Sequence, residues 1–334
     1  MSFLRSRETQ LILAIGALIA VVAWRFPAFV APGNLVNVLN DTSPLILLAI
    51  GQTVVILTRC IDLSVAANLA LTGMTAAIIN VAMPDLPVPL IVAGSVVMGA
   101  ALGAINGILV WKLTIPPIVV TLGTLTIFRG LVFVISDGQW INAHEMTDAF
   151  SALPRAQVLG LPLLSWFAIA GVVVFAAIVR YTPLGRAFYA VGGNPSAAVY
   201  AGINPGRTQF LAFVLSGAAA GLTGYLWVAR YQVAYVDIAR GFELDVVAAC
   251  VIGGISIAGG AGTILGALLG ALFLGIVKNA LPVVGISPFW QLAISGAAIV
   301  IAVIANGRAQ RRAGRQILKR EAPQGGSLRP EPAT

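Results

Sequence analysis

Apolar runs of roughly membrane-spanning length recur ten times along the 334-residue chain: 9–29, 44–59, 63–82, 87–110, 117–136, 162–180, 209–229, 244–260, 262–281 and 289–306. About 20 helical residues cross a hydrocarbon layer ~30 Å thick. Lipid offers backbone N–H and C=O groups no water, so a chain with this pattern must satisfy them within helices. Only 10% of the residues are charged, against about 25% in soluble domains. The expected fold is an all-α polytopic membrane protein with about 10 transmembrane helices. The second run is short, and the eighth and ninth nearly touch at Gly259–Gly262. The first run follows Arg5 and Arg7, as in a signal peptide. No small-residue cleavage pattern follows it, and Trp24–Arg25 reads as an interface anchor, so a retained first helix is expected.

The net charge of +8 would suggest a nucleic-acid partner in a soluble protein; here it reads as loop asymmetry, with no nucleic acid implied. Ten spans place both termini on one side. That side then holds fourteen basic residues: Arg5, Arg7, Arg59, Lys112, Arg180, Arg186, Arg207 and seven from Arg308 to Arg329. The other side holds four, Arg25, Arg155, Arg230 and Arg240. The basic side is expected to be cytoplasmic. Residues 1–308 form one membrane domain. Residues 309–334 are a basic tail rich in Pro and Gly, expected to be disordered.

Two cysteines, Cys60 and Cys250, and one histidine, His144, give no Cys/His metal cluster and no disulfide framework. Both cysteines lie near or inside apolar runs and are expected as buried thiols, with a single Cys60–Cys250 bridge as the alternative. Acids cluster at the ends of the runs, which argues against an ion-coupled carrier working alone. Arg129 lies inside the fifth run, where it either snorkels toward the interface or contacts a polar pathway. Lys278, near the end of its run, is expected to snorkel. Asn68, Asn106, Thr121 and Thr124 are polar groups within runs; lining a pathway and bonding between helices explain them equally well.

Glycines at four-residue spacing, Gly99/Gly103/Gly107, Gly217/Gly221 and Gly262/Gly266/Gly270, suit close helix packing within the chain, with a subunit interface as the alternative. The stretch IDLSVAANLALTG (61–73) resembles FELDVVAACVIGG (242–254), and the glycine stripes fall in the fourth and ninth runs. The offset is five runs. An odd offset makes an inverted repeat of five spans one reading, and chance in a biased composition the other.

No G-x-x-x-x-G-K-[ST] and no nucleophile–base–orienter spacing occurs, so any ATP chemistry belongs to another polypeptide. The most punctuated stretch, TPLGRAFYAVGGNPSAAVYAGINPGRTQ (182–209), carries two arginines and no acid. Thr182 can cap a helix that starts at Pro183 and ends near Gly192; Asn194 can cap a second that starts at Pro195 and stops at Gly202. Two helices of about two turns are expected on the basic face. They serve either as a docking surface or as a connecting loop.

This stretch resembles the cytoplasmic motif of the permease subunits of ribose-type ATP-binding cassette importers. IDLS (61–64), PPIVVTLGTLTIFRG (116–130) and the whole of 242–281 resemble the same family, so that the likeness covers most of residues 40–306. The resemblance implies a bacterial inner-membrane permease for a monosaccharide, with cytoplasmic termini. It also implies a second permease subunit, identical or different, two ATPase subunits holding ATP and Mg, and a periplasmic sugar-binding protein. Within 182–209 it implies that Gly185, Arg186, Gly192, Gly193, Asn194, Ala197, Ala198 and Gly202 shape the coupling segment. The overall likeness leans toward the rhamnose or autoinducer-2 branch. A sister permease for branched-chain amino acids or nucleosides is the runner-up, and a carrier or channel acting alone comes third. One departure stands out: Arg59–Cys60 replaces the Gly-Gly usual before IDLS, which bears on the shape of the turn into the third span.

Overall fold

The computed structural model describes residues 7–287 together with 290, 293, 296 and 297. In chain order its helices are α1 (Arg7–Arg25), α2 (Pro32–Leu57), α3 (Val65–Ala82), α4 (Val88–Lys112), α5 (Pro117–Ser136), α6 (Asp148–Ala152), α7 (Leu163–Tyr181), α8 (Pro183–Gly193), α9 (Pro195–Tyr200), α10 (Pro205–Tyr231), α11 (Phe242–Ile252) and α12 (Ile264–Val283). Eight of these, α1–α5, α7, α10 and α12, are long and apolar enough to cross a membrane. The protein is a multi-pass, all-α membrane protein. The tail 309–334 and most of the tenth run lie outside the described residues.

The second run is longer than its apolar content suggests. α2 extends through the polar start NLVNVLNDTS and through Pro44. Thr42 and Ser43 turn their hydroxyls back onto the carbonyls of Val38 and Leu39, which hides these polar groups inside the bundle.

The eighth run departs from the expected continuous span over 244–260. α11 stops after eleven residues, and residues 253–263 continue as turns. Gly254, Gly259, Gly260 and Gly262 all have positive φ, which a helix cannot propagate. Protein groups satisfy much of this irregular backbone: Ser256 N donates to Ala261 O, and Gly260 N donates to Leu57 O. Non-helical backbone within a membrane protein is tolerated where protein covers it in this way.

α2 and α10 form the centre of the bundle. α10 packs on α4, α3 and α2, and α2 on α12, α7 and α11. The contacts follow the five-run offset: α4 lies on α10 as α12 lies on α2, and α3 on α10 as α11 on α2.

Glycines set the closest of these approaches. A Cβ on Gly99 would stand 2.3 Å from Gly217 O, one on Gly103 2.2 Å from Phe213 O, and one on Gly107 2.9 Å from Phe210 Cα. Gly266 and Gly270 do the same between α12 and α11, where Cβ atoms would meet Gly253 O at 2.3 Å and Ala249 O at 2.0 Å. The stripes are therefore used within the chain. Gly262 is the exception: it precedes α12, in the turn, with φ +137°.

The two ends of the bundle differ. At one end Arg7 donates to Gly254 O, Thr263 Oγ1 donates to Glu8, and the α2–α3 turn meets α8. At the other, residues 137–162 form a cover with two short antiparallel ladders. β1 (Ile141–Asn142) pairs with β4 (Val233–Ala234), and β2 (Gln157–Val158) with β3 (Leu161–Pro162). Tyr225 donates to Phe150 O, fixing this cover to α10.

Candidate functional site

The stretch 182–209 folds through three side-chain caps, each followed by proline. Thr182 Oγ1 accepts from Gly185 N at 3.2 Å, Asn194 Oδ1 from Ala197 N at 3.1 Å, and Asn204 Oδ1 from Arg207 N at 2.9 Å. Each satisfies an orphan N–H at a helix start, and proline supplies the next residue without losing a bond. Both helices form where expected, with different lengths. α8 runs three turns to Gly193, past the expected stop at Gly192, because neither Gly192 nor Gly193 adopts a positive φ. α9 has only six residues. Gly202, at φ +78°, turns the chain just after α9 ends.

The module has an inner and an outer face. Gly185, Phe188, Val191, Gly192 and Ala198 are buried, whereas Arg186, Gly193, Asn194, Ser196 and Ala197 are exposed. Val199 and Tyr200 are 57% and 92% exposed, so α9 offers apolar surface outward. Gly185 and Gly192 are tightly enclosed: their Cβ atoms would lie 2.2 Å from Val179 O and 1.8 Å from Leu57 O. A Cβ on Gly193 would meet nothing. A cavity of about 540 Å³, bordered by Arg180, Arg186, Glu8 and Thr263, lies beside α8.

The α2–α3 turn meets this module from below. Arg59 sits there with φ +64°, a left-handed conformation that costs a non-glycine residue roughly 1–2 kcal/mol. The turn into α3 thus keeps a glycine-like backbone with an arginine in it. The Arg59 Nε donates to Gly192 O at 2.7 Å and Nη2 to Gly193 O at 2.8 Å. Cys60 and Cys250 are buried and free. Burial pushes the Cys60 thiol up to about 11, so it is inert as a nucleophile near neutral pH.

Asp62, in the same turn, is buried as well. Its carboxylate accepts from Ser64 N at 2.9 Å and Ser64 Oγ at 2.6 Å. Burial nevertheless pushes it up to about 6, the Ser64 bonds offsetting only part of the desolvation. The Gln52 amide completes the turn by pairing with the main chain of Asp62.

Two of the polar residues inside the spans, Asn106 and Thr121, reach this turn, and Asn68 joins α3 to α4. Asn106 Nδ2 donates to Ser64 Oγ at 2.8 Å, Asn68 Nδ2 to Gly99 O at 3.1 Å, and Thr121 Oγ1 to Ile61 O at 3.2 Å. Asn68 Oδ1 and Asn106 Oδ1 are buried without a partner among the described residues. Thr124 bonds back to Val120 O on its own helix. Arg129 lies apart, at the other end: its Nη1 donates to Ile238 O at 2.5 Å and to Val236 O at 3.3 Å, holding the α10–α11 connection.

Lys278 pairs with Asp245 between α12 and α11, just as Arg230 pairs with Asp41 between α10 and α2. Both pairs join residues too distant in sequence for spacing to reveal. At this end a cavity of about 450 Å³ is bordered by Trp227, Tyr235, Phe242, Asp237 and Arg240. The bonds from Arg59 to α8 are likewise out of reach of spacing; their one sequence signal is the Arg59–Cys60 departure itself.

A family profile described as branched-chain amino acid transport system / permease component matches residues 34–303. The chain is similar to the ribose import permease protein RbsC of Escherichia coli K12, 38% identical over 91% of this chain and 94% of the relative. It is similar to RbsC of Bacillus subtilis 168, 38% identical over 87% and 90%. It is also similar to the autoinducer 2 import system permease protein LsrC of Klebsiella pneumoniae, 35% identical over 92% and 88%. No solved structure matches significantly.

Proposed function

The chain belongs to the family described as branched-chain amino acid transport system / permease component, and from that membership we propose that it is the membrane-spanning subunit of an ATP-binding cassette importer for a monosaccharide. Relatives named for ribose and autoinducer 2 import, at 35–38% identity over about nine-tenths of this chain, favour a sugar over the amino acid in the family description.

The observation that carries the reading is the capped α8–α9 module. It is basic, it is fixed to the bundle by its inner face, and it presents Ser196, Ala197, Val199 and Tyr200 outward. The chain has no P-loop of its own, so the energy arrives through a surface of this kind. Of two ATPase subunits holding ATP and Mg, one docks there, in the cytoplasm, where both termini also lie. The chain itself binds no cofactor. A second permease subunit, identical or of the same family, completes the pathway in the inner membrane. A periplasmic binding protein delivers the sugar to the opposite end. Within the bundle, the unpartnered Oδ1 atoms of Asn68 and Asn106 are acceptors suited to sugar hydroxyls once the helices shift.

A single cysteine at Ser196 tests the docking surface, because Cys60 and Cys250 are buried. In the assembled complex a thiol cross-linker at Ser196→Cys is expected to join the ATPase subunit, and one at Trp140→Cys, on the other end, is expected not to. Cross-links to the ATPase from Trp140→Cys alone would overturn the orientation and the docking role.

A further inference from the structure

We propose that Arg59 is a positioning residue that clamps the coupling helix α8 to the α2–α3 turn, so that displacement of the α8–α9 module is passed to the central helix α2. The inference rests on the proposed function for what moves the module; the clamp itself rests on geometry.

Three strands of backbone meet around this side chain. Its guanidinium donates to the last two carbonyls of α8, those of Gly192 and Gly193. Carbonyls at a helix C-terminus have no partner within the helix and carry the negative end of its dipole, so a forked cation is a fitting cap. A Cβ on Gly259 would stand 2.5 Å from Arg59 Cγ, which places the arginine stem directly against the 253–263 turn. That turn is joined to the end of α2 by Gly260 N donating to Leu57 O at 3.0 Å. Gln209, at the start of α10, donates to Thr58 O at 3.3 Å. The ends of α2, α8 and α11 and the start of α10 thus share one knot; Tyr189 of α8 donates to Gly262 O at 2.8 Å, and Arg59 ties the C-terminal end of α8 into it.

The backbone of Arg59 is held at φ +64°, a conformation glycine adopts freely and arginine does not. The α2 C-terminal turn holds this conformation through Arg59 N donating to Ile56 O at 2.9 Å and Cys60 N donating to Val55 O at 3.2 Å, and from it the side chain reaches both α8 carbonyls. Beyond it the same turn holds Asp62 and Ser64, and Ser64 accepts from Asn106 of α4. Motion of α8 relative to the bundle therefore acts on the turn that organises the buried polar residues.

The variants Arg59→Gly and Arg59→Lys separate the clamp from the fold. Glycine relieves the backbone and removes both donors; lysine keeps the charge with a single donor group. The complete complex is reconstituted in proteoliposomes and probed with a panel of monosaccharides led by radiolabelled D-ribose. Arg59→Gly is expected to raise the ATP hydrolysed per sugar imported about fivefold or more, with a thermal midpoint close to wild type, and Arg59→Lys to restore part of the coupling. In parallel, amide exchange across 190–198 in the purified chain is expected to quicken about tenfold in Arg59→Gly. A wild-type ratio of ATP to sugar in Arg59→Gly, or unchanged exchange, would overturn the clamp. The exchange measurement needs no transported solute. A wild-type complex that imports none of the panel thus sinks the proposed function, while exchange still decides the clamp.

Discussion

Gly192 and Gly193 are neighbours in sequence and opposites in structure. A side chain on Gly192 drives into Leu57 O, whereas one on Gly193 enters open space. Gly192→Val is expected to lose most folded protein, since no flexible side chain is there to give way. Gly193→Val is expected to fold and unfold thermally like wild type, yet to disturb binding-protein-stimulated ATP hydrolysis in the complex. Equal yields of the two variants in size-exclusion chromatography would contradict this. Asp62 makes a second residue-scale prediction. Its carboxyl is raised from 3.8 to about 6, so the folded state binds more protons than the unfolded one between those values. Stability is then fully present below the lower value and falls as pH rises through the window, by on the order of 2–3 kcal/mol. Asp62→Asn, which keeps the acceptor for Ser64, is expected to remove that slope in thermal unfolding between pH 4 and 7. An unchanged slope would mean that Asp62 is not its source. The sequence placed Asp62 only as part of IDLS; its burial comes from α2 and the turn, to which spacing gives no access.

At the scale of the element, caps and glycines were the most readable signals. Thr182–Pro183 and Asn194–Pro195 mark helix starts because their chemistry is local, and the structure forms both. The stop of α8 was not readable, since Gly192 and Gly193 stay out of the left-handed conformation that commonly ends a helix and α8 runs on to Gly193. The apolar run over 244–260 hid a break for the complementary reason: hydropathy does not register φ. The α4–α10 seam supplies the element-scale test. Gly103 abuts Phe213 O, whereas Gly94 on the same helix faces open space. Gly103→Leu is expected to force the helices apart and destabilise the protein by about 1–3 kcal/mol or more, and Gly94→Leu to be tolerated. Thermal unfolding in detergent that ranks the two in reverse would contradict the seam.

Over the whole molecule, the class of fold was legible because lipid leaves so few alternatives for a chain with this little charge. The pairing of helices was less so. The five-run offset leaves an inverted repeat and chance as the two readings; the contacts of α4, α10, α12 and α2 repeat at that offset, but the ion pairs that fasten the far end, Arg230–Asp41 and Lys278–Asp245, link residues that no periodicity brings together. If the proposed function holds, the chain moves sugar only when the α8–α9 module is driven from outside. The direct measurement is uptake of labelled monosaccharide by proteoliposomes holding the chain, its ATPase subunits and the binding protein, with and without ATP. Uptake is expected to require ATP and to be lost in Ala197→Glu, whose added carboxylate lies on the exposed face of α9. Uptake by the chain without the ATPase subunits, or at an undiminished rate in Ala197→Glu, would contradict it.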